Sequence, residues 1–146
     1  MSDKPITVKY ESLVVIWASL LASQVVFAIV IYAIRPELLS VDLSRPPLGD
    51  QPLITLAFIA SAIVFFVLSF VLSAQHMRRA VRDRDAGCVQ TGLVLGCALG
   101  EVPSVLGLIL ALVWEYQYFF IWILLGALSV LFHFPRKSAL EAVREP

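Results

Sequence analysis

The chain has 146 residues, of which 60% are hydrophobic and only 15% charged, and its mean hydropathy is +0.88. A soluble domain carries roughly a quarter charged and about half apolar residues, so an ordinary water-soluble fold is excluded. Eleven basic residues balance eleven acidic ones, which leaves no cationic excess to bind nucleic acid.

The apolar residues gather into four blocks, each matching the roughly 20 residues that carry a helix across about 30 Å of hydrocarbon. The first covers 13–34 and closes at Arg35-Pro36. It exceeds the roughly 7–15 apolar residues of a signal peptide, and no small-x-small cleavage site precedes Arg35, so it is expected to be retained. The following segment, 35–52, contains Pro36, Pro46, Pro47, Gly49 and Pro52 and reads as a solvated periplasmic connector with the acids Glu37, Asp42 and Asp50. The second block, 53–74, is uncharged and gives way to Gln75, His76, Arg78 and Arg79. A cytoplasmic loop is expected over 75–87, where Arg82-Asp83-Arg84-Asp85 alternate in sign. That stretch either prolongs the second helix as a charged surface turn or offers a docking site to a soluble partner. The third block, 88–114, holds one charge, Glu101, and the fourth covers 116–134. So short a turn between them requires an antiparallel hairpin. In the tail, Leu140 and Val143 stand three apart among charges, a pattern suited to a short interfacial helix.

Charge distribution sets the expected orientation. Lys4 and Lys9, then Arg78, Arg79, Arg82 and Arg84, then Arg136, Lys137 and Arg144 place nine basic residues on one side of a four-span chain, against Arg35 and Arg45 on the other. Basic residues stay with the cytoplasmic loops. The expected fold is therefore all-α: one integral membrane domain over 1–146, a four-transmembrane-helix bundle, multi-pass in the inner (plasma) membrane, with both termini cytoplasmic. Tyr32, Trp114, Tyr116 and Tyr118 fall at the expected outer interface, where amphipathic rings prefer to sit.

The third span carries the sharpest signal. Gly92, Gly96 and Gly100 recur every four residues, Ser104 continues the row, and Gly107 follows. Such a stripe lets another helix approach closely, within the bundle or between copies. Glu101 lies about 13 residues from either end of its span, hence about 20 Å from each edge at 1.5 Å per residue. An ionised group at that depth costs about 2.5–3.5 kcal/mol on insertion scales, so the carboxyl must be neutral, paired or facing a wet path. The other spans supply no Lys or Arg at that depth, and desolvation then favours the protonated form. Candidate partners are Cys97 and Ser104 on the same helical face, and the Leu99 carbonyl, which Pro103 leaves without its helical donor. Ser19, Ser23, Gln24, Ser61 and Ser69 can approach from neighbouring helices.

The run VQTGLVLGCALGEVPSVLGLILALV, from Val89 to Val113, resembles the carboxylate-bearing helix of the rotor-ring subunit c of F-type ATP synthases. The shared features are Gln90-Thr91 near the start, small residues ahead of the acid in Ala98-Leu99-Gly100-Glu101, and Gly107-Leu108 after it. A basic loop precedes the run, so spans two and three correspond to the whole hairpin of that family. The resemblance implies that Glu101 is a proton-carrying acid and that the chain associates with itself or with other membrane subunits. The chain differs from the family in having no glycine in its second span, Arg82-Asp83-Arg84-Asp85 in its loop, and a helix on either side of the hairpin.

Two functions stay open on these grounds. The first is a subunit of a membrane complex in which Glu101 binds a proton. The second is a structural or accessory protein in which Glu101 is a neutral hydrogen-bond donor. A membrane enzyme is not expected. His76 and His133 stand at span ends, far from Glu101 in depth, and the sequence has no phosphate-binding glycine loop, haem motif or metal-spaced Cys/His set, so no metal or cofactor is expected. Cys88 and Cys97 are too far apart along one helix to pair and read as packed thiols.

Overall fold

A computed structural model describes residues 9–40, 42 and 44–144. Lys4 and the side chain of Arg144, two of the nine charges counted above, lie outside the described residues. Helix α1 covers Tyr10–Ile34, α2 Pro52–Asp83, α3 Ala86–Trp114, α4 Phe119–Phe132 and α5 Lys137–Arg144, and a single 3₁₀ turn, Pro36–Leu39, follows α1. Three helices are long and apolar enough to cross a membrane. The number becomes four if α4 and α5, which meet at 42°, are taken as one bent span.

Local chemistry sets the boundaries. Pro52 opens α2, where its missing N–H costs nothing. Gln75 to Asp83 continue α2, the first of the two readings open for this stretch, so that the expected loop over 75–87 is shorter than its bounds. The segment is rich in good helix formers, and its Ala80 is fully buried against the far end of the chain. The loop between α2 and α3 is therefore only Arg84 and Asp85. Arg84 takes the left-handed conformation, φ 51°, that ends α2. Asp85 then caps α3 by accepting from the Gly87 amide at 2.8 Å. Glu115, also left-handed at φ 52°, closes α3.

Helix α3 is the hub, packing against α1, α2, α4 and α5. It runs antiparallel to α2 and α4 and parallel to α1. Its glycine row faces inward. A Cβ on Gly92 would meet His76 Cβ at 2.8 Å, one on Gly96 would meet His133 Nε2 at 2.8 Å, and one on Gly100 would meet Ser129 Oγ at 2.5 Å. One on Gly107 would overlap Trp122 Cβ. The stripe thus serves contacts of this chain with its own α2 and α4. Near van der Waals contact between backbones supplies the attraction that water supplies in a soluble core.

The bundle is closed at both ends by segments that are not long helices. At the end carrying the described N-terminal residues, α5 folds back so that Leu140 and Val143, 4% and 5% exposed, pack with Leu13, Ala80 and Val89. At the opposite end the 35–52 segment, expected as a solvated connector, is largely exposed and is also tied down by consecutive residues of the α3–α4 turn. The Tyr116 hydroxyl donates to the Pro47 carbonyl at 2.7 Å and the Tyr118 hydroxyl to the Arg45 carbonyl at 3.1 Å. Gln117 Nε2 donates to the Asp42 carbonyl at 2.7 Å while its Oε1 accepts from the Asp42 amide at 3.0 Å. Gly49, at φ 67°, lies against the Tyr116 ring, where an added Cβ would come within 3.0 Å of Cδ2 and would be strained as well as crowded. Arg35 completes this end. It pairs with Glu115 at 3.0 Å and Glu37 at 3.6 Å, and donates to the Leu112 carbonyl in the last turn of α3 at 3.5 Å, where a cation suits the helix dipole.

Candidate functional site

Glu101 lies midway along α3 at the edge of that helix's uncovered face. Val94, Ala98, Val105 and Ile109, at intervals of three or four residues around it, are all exposed, and the carboxyl itself is half-buried. This face lies between α1 and α2, and α1 forms one wall of it.

The carboxyl reaches across to α1. Its Oε1 lies 2.6 Å from Ser23 Oγ, and the same hydroxyl oxygen lies 2.6 Å from the Leu20 carbonyl oxygen. A serine has one proton to donate. If the hydroxyl donates to Glu101, the carboxylate is satisfied as an ion, and the Leu20 carbonyl keeps only its helical donor. If it donates to Leu20, the short Glu101 contact requires the proton on the carboxyl, which then donates to Ser23. Rotation about the Ser23 Cβ–Oγ bond together with uptake of one proton by the carboxyl converts the first arrangement into the second. Gln24 Nε2 stands 3.5 Å from Ser23 Oγ as a further donor to that oxygen.

Around this pair the helices collect an unusual set of buried polar groups. Gln24 is 3% exposed and its Oε1 has no hydrogen-bond partner among the described residues; the same is true of Ser129 Oγ. Ser104 is fully buried and donates, at 3.3 Å, toward the Trp122 and Ile123 carbonyls of α4. Gly126 makes this possible, since a Cβ there would overlap Ser104 Oγ and come 3.3 Å from Gln24 Oε1. His133 lies deeper than its position at a helix end suggests. It is 8% exposed and rests on Gly96 and against the Phe70 ring, 4.6 Å between centroids. Its Nδ1 is 2.7 Å from the Ser129 carbonyl and its Nε2 3.4 Å from the Ser69 carbonyl.

Several expected partners do not reach Glu101. Ser104 is engaged by α4, Cys97 is fully buried without a hydrogen bond to the carboxyl, and the Leu99 carbonyl freed by Pro103 receives no side-chain donor. The reason is common to all three: the carboxyl leaves α3 toward α1. Ser19, Ser61 and Ser69 bond carbonyls of their own helices, those of Val15, Ala57 and Phe66. Ser23 alone among the serines meets the acid. The burial of His133 and Gln24 was missed in sequence, although Gly126, Ser129 and His133 recur at three and four residues and mirror the α3 row.

Among the described residues no group of three or more His, Cys, Asp or Glu converges to hold a metal ion. The arrangement around Glu101 is one carboxyl with one serine hydroxyl within hydrogen-bond distance. Comparison of the chain with known protein families, curated proteins and solved structures gives no match in any of the three.

Proposed function

We propose that this protein is a four-span subunit of an inner-membrane complex, with both termini cytoplasmic, in which Glu101 takes up and releases a proton. The observation that carries the reading is the Ser23 hydroxyl placed 2.6 Å from both Glu101 and the Leu20 carbonyl. It can donate to the ionised acid or accept from the protonated one, which a purely structural donor does not require. The uncovered apolar face around Glu101 supports the reading too, because a neighbouring subunit that covered it would meet the acid directly. Four spans follow from reading 116–134, α4 with the residues that flank it, as the fourth crossing, with α5 as an interfacial helix at its cytoplasmic end. Helix α4 alone, at 14 residues, is only about 21 Å long. Nine of the eleven basic residues then lie on the cytoplasmic side.

A hydrophobic carbodiimide reacts with protonated carboxyls and tests this directly. We expect Glu101 to be modified in membranes, the rate to fall as pH rises through its titration, and Ser23→Ala to shift that profile. Absence of labelling at every pH from acid to neutral would overturn the proton role.

One observation favours a second reading, in which Glu101 is a neutral packing group: its partner belongs to the same chain and joins α1 to α3. Under that reading Glu101→Gln, which still donates, leaves stability unchanged, Glu101→Leu loosens the bundle, and neither effect depends on pH.

A further inference from the structure

A second feature of the fold lies well away from Glu101, where α4 gives way to α5. The linker 133–136 is drawn toward α1. Trp17 Nε1 donates to the Val130 carbonyl at 2.8 Å, and the Trp17 and Phe134 rings meet edge to face at 4.9 Å. Helix α5 is drawn the other way, back under α2 and α3, by Leu140 and Val143. Between these two pulls the 42° bend leaves a cleft of about 550 Å³. That is within the roughly 300–1,000 Å³ of ligand-binding pockets.

The cleft is two-sided in chemistry. Most of its lining is apolar, Phe70 and Met77 of α2 and Leu93 of α3 among it, with Ser73 and His133 as polar members, and Arg136 and Ser138 line it beside the first turn of α5. Phe132 is 69% exposed and Phe70 37% exposed, so two apolar rings that line the cleft also face the outer surface of the bundle. Among the described residues no acid pairs with Arg136, while Arg82 is engaged by Asp83 at 2.7 Å and Lys137 lies over the Tyr10 ring at 5.2 Å.

We infer that this cleft binds an anionic phospholipid of the cytoplasmic leaflet, with one acyl chain between α2 and α5 and the phosphate on Arg136 and Ser138. Charge complementarity selects the occupant. Guanidinium and hydroxyl donors match phosphate oxygens, the leaflet that faces a basic protein surface is the anionic one, and the mostly apolar lining suits an acyl chain. A bound soluble anion would leave that apolar wall unused. The inference rests on the membrane orientation proposed above and is independent of any role for Glu101.

The test is lipid retention by the purified full chain in detergent, read by native mass spectrometry during titration with phosphatidylglycerol or phosphatidylcholine. We expect one phosphatidylglycerol held in preference to phosphatidylcholine. Arg136→Ala should weaken it by about tenfold, as loss of a charge-assisted hydrogen bond does. Ala142→Trp, at an exposed position on the cleft wall, should displace it without lowering the unfolding midpoint. Equal retention of the two lipids, no retention, or retention unaffected by both substitutions would each overturn the inference. Because detergent defines no sides, such a failure is separate from a failure of the orientation, which protease accessibility of a C-terminal tag in sealed vesicles reads on its own.

Discussion

Replacing Gly107 by alanine sets two opposed effects against each other, and the structure decides the sign. In a helix interior alanine is favoured over glycine by about 0.5–1 kcal/mol, so without packing the substitution would stabilise. At Gly107, however, the new methyl would overlap Trp122 Cβ and approach Trp122 Cγ to 3.1 Å and the Phe119 carbonyl oxygen to 3.3 Å. A Cβ and a carbonyl move only with their backbone, so no rotamer change relieves the contact. The first turn of α4 must shift, carrying Trp122 and Phe119, which are 6% and 5% exposed. The adjoining turn that holds the 42–50 loop moves with it. Overpacking of this kind costs about 1–3 kcal/mol. The net expectation is destabilisation by about 1–2 kcal/mol after the helical gain is subtracted. Reversible unfolding by SDS titration in mixed micelles, followed by tryptophan fluorescence and circular dichroism, measures it. Ala98→Gly, on the exposed face of the same helix, calibrates the propensity term alone. A Gly107→Ala variant as stable as the parent, or more stable, would refute the inward packing of the row.

Trp17→Phe removes the indole donor to the Val130 carbonyl while retaining an aromatic ring against Phe134, and should cost about 1 kcal/mol in the same titration. Cys97 is fully buried whereas Cys88 is partly exposed, so a maleimide should modify Cys88 in the folded protein and reach Cys97 only after unfolding. At the loop, the Ser44 hydroxyl and amide donate to the Asp42 carboxylate at 2.6 and 2.9 Å and hold its pKa below the ordinary 3.8. A depressed carboxylate contributes order that is fully present above its unfolded value and is lost as pH falls through the lower folded value. The NMR signal of the Ser44 amide should therefore keep its hydrogen-bonded shift down to about pH 4 and lose it below that. A change at higher pH, or none after Asp42→Ala, would count against the contact.

Glu101 shows where reading along the chain stops being sufficient. Its depth follows from counting residues to the ends of an apolar block, and its lack of a cation follows from the composition of the other blocks. Its partner does not. Ser23 lies 78 positions away and was one of several hydroxyls able to reach it. The choice depends on how α1 and α3 are rotated about their axes. Hydropathy carries little of that information in helices such as α1, which are apolar around most of their circumference. Gln75 to Asp83 illustrate the converse case. Their alternating charges left open whether α2 runs on through them, and burial of Ala80 against residues of α5 keeps them helical.

The sequence by itself determined that the chain is all-α and has several helices suited to a membrane, because crossing hydrocarbon is a matter of local length and composition. It also marked the glycine row, Glu101, and the amphipathic spacing of Leu140 and Val143. Only the tertiary structure decided that the row packs on α2 and α4 of the same chain, that Tyr116, Gln117 and Tyr118 fasten the 42–50 loop, and that His133 and Gln24 are buried. It also decided that the α4–α5 bend opens a cleft. Each of these depends on contacts between residues distant in sequence, set by helix rotation and register, which a one-dimensional pattern of apolar residues leaves free.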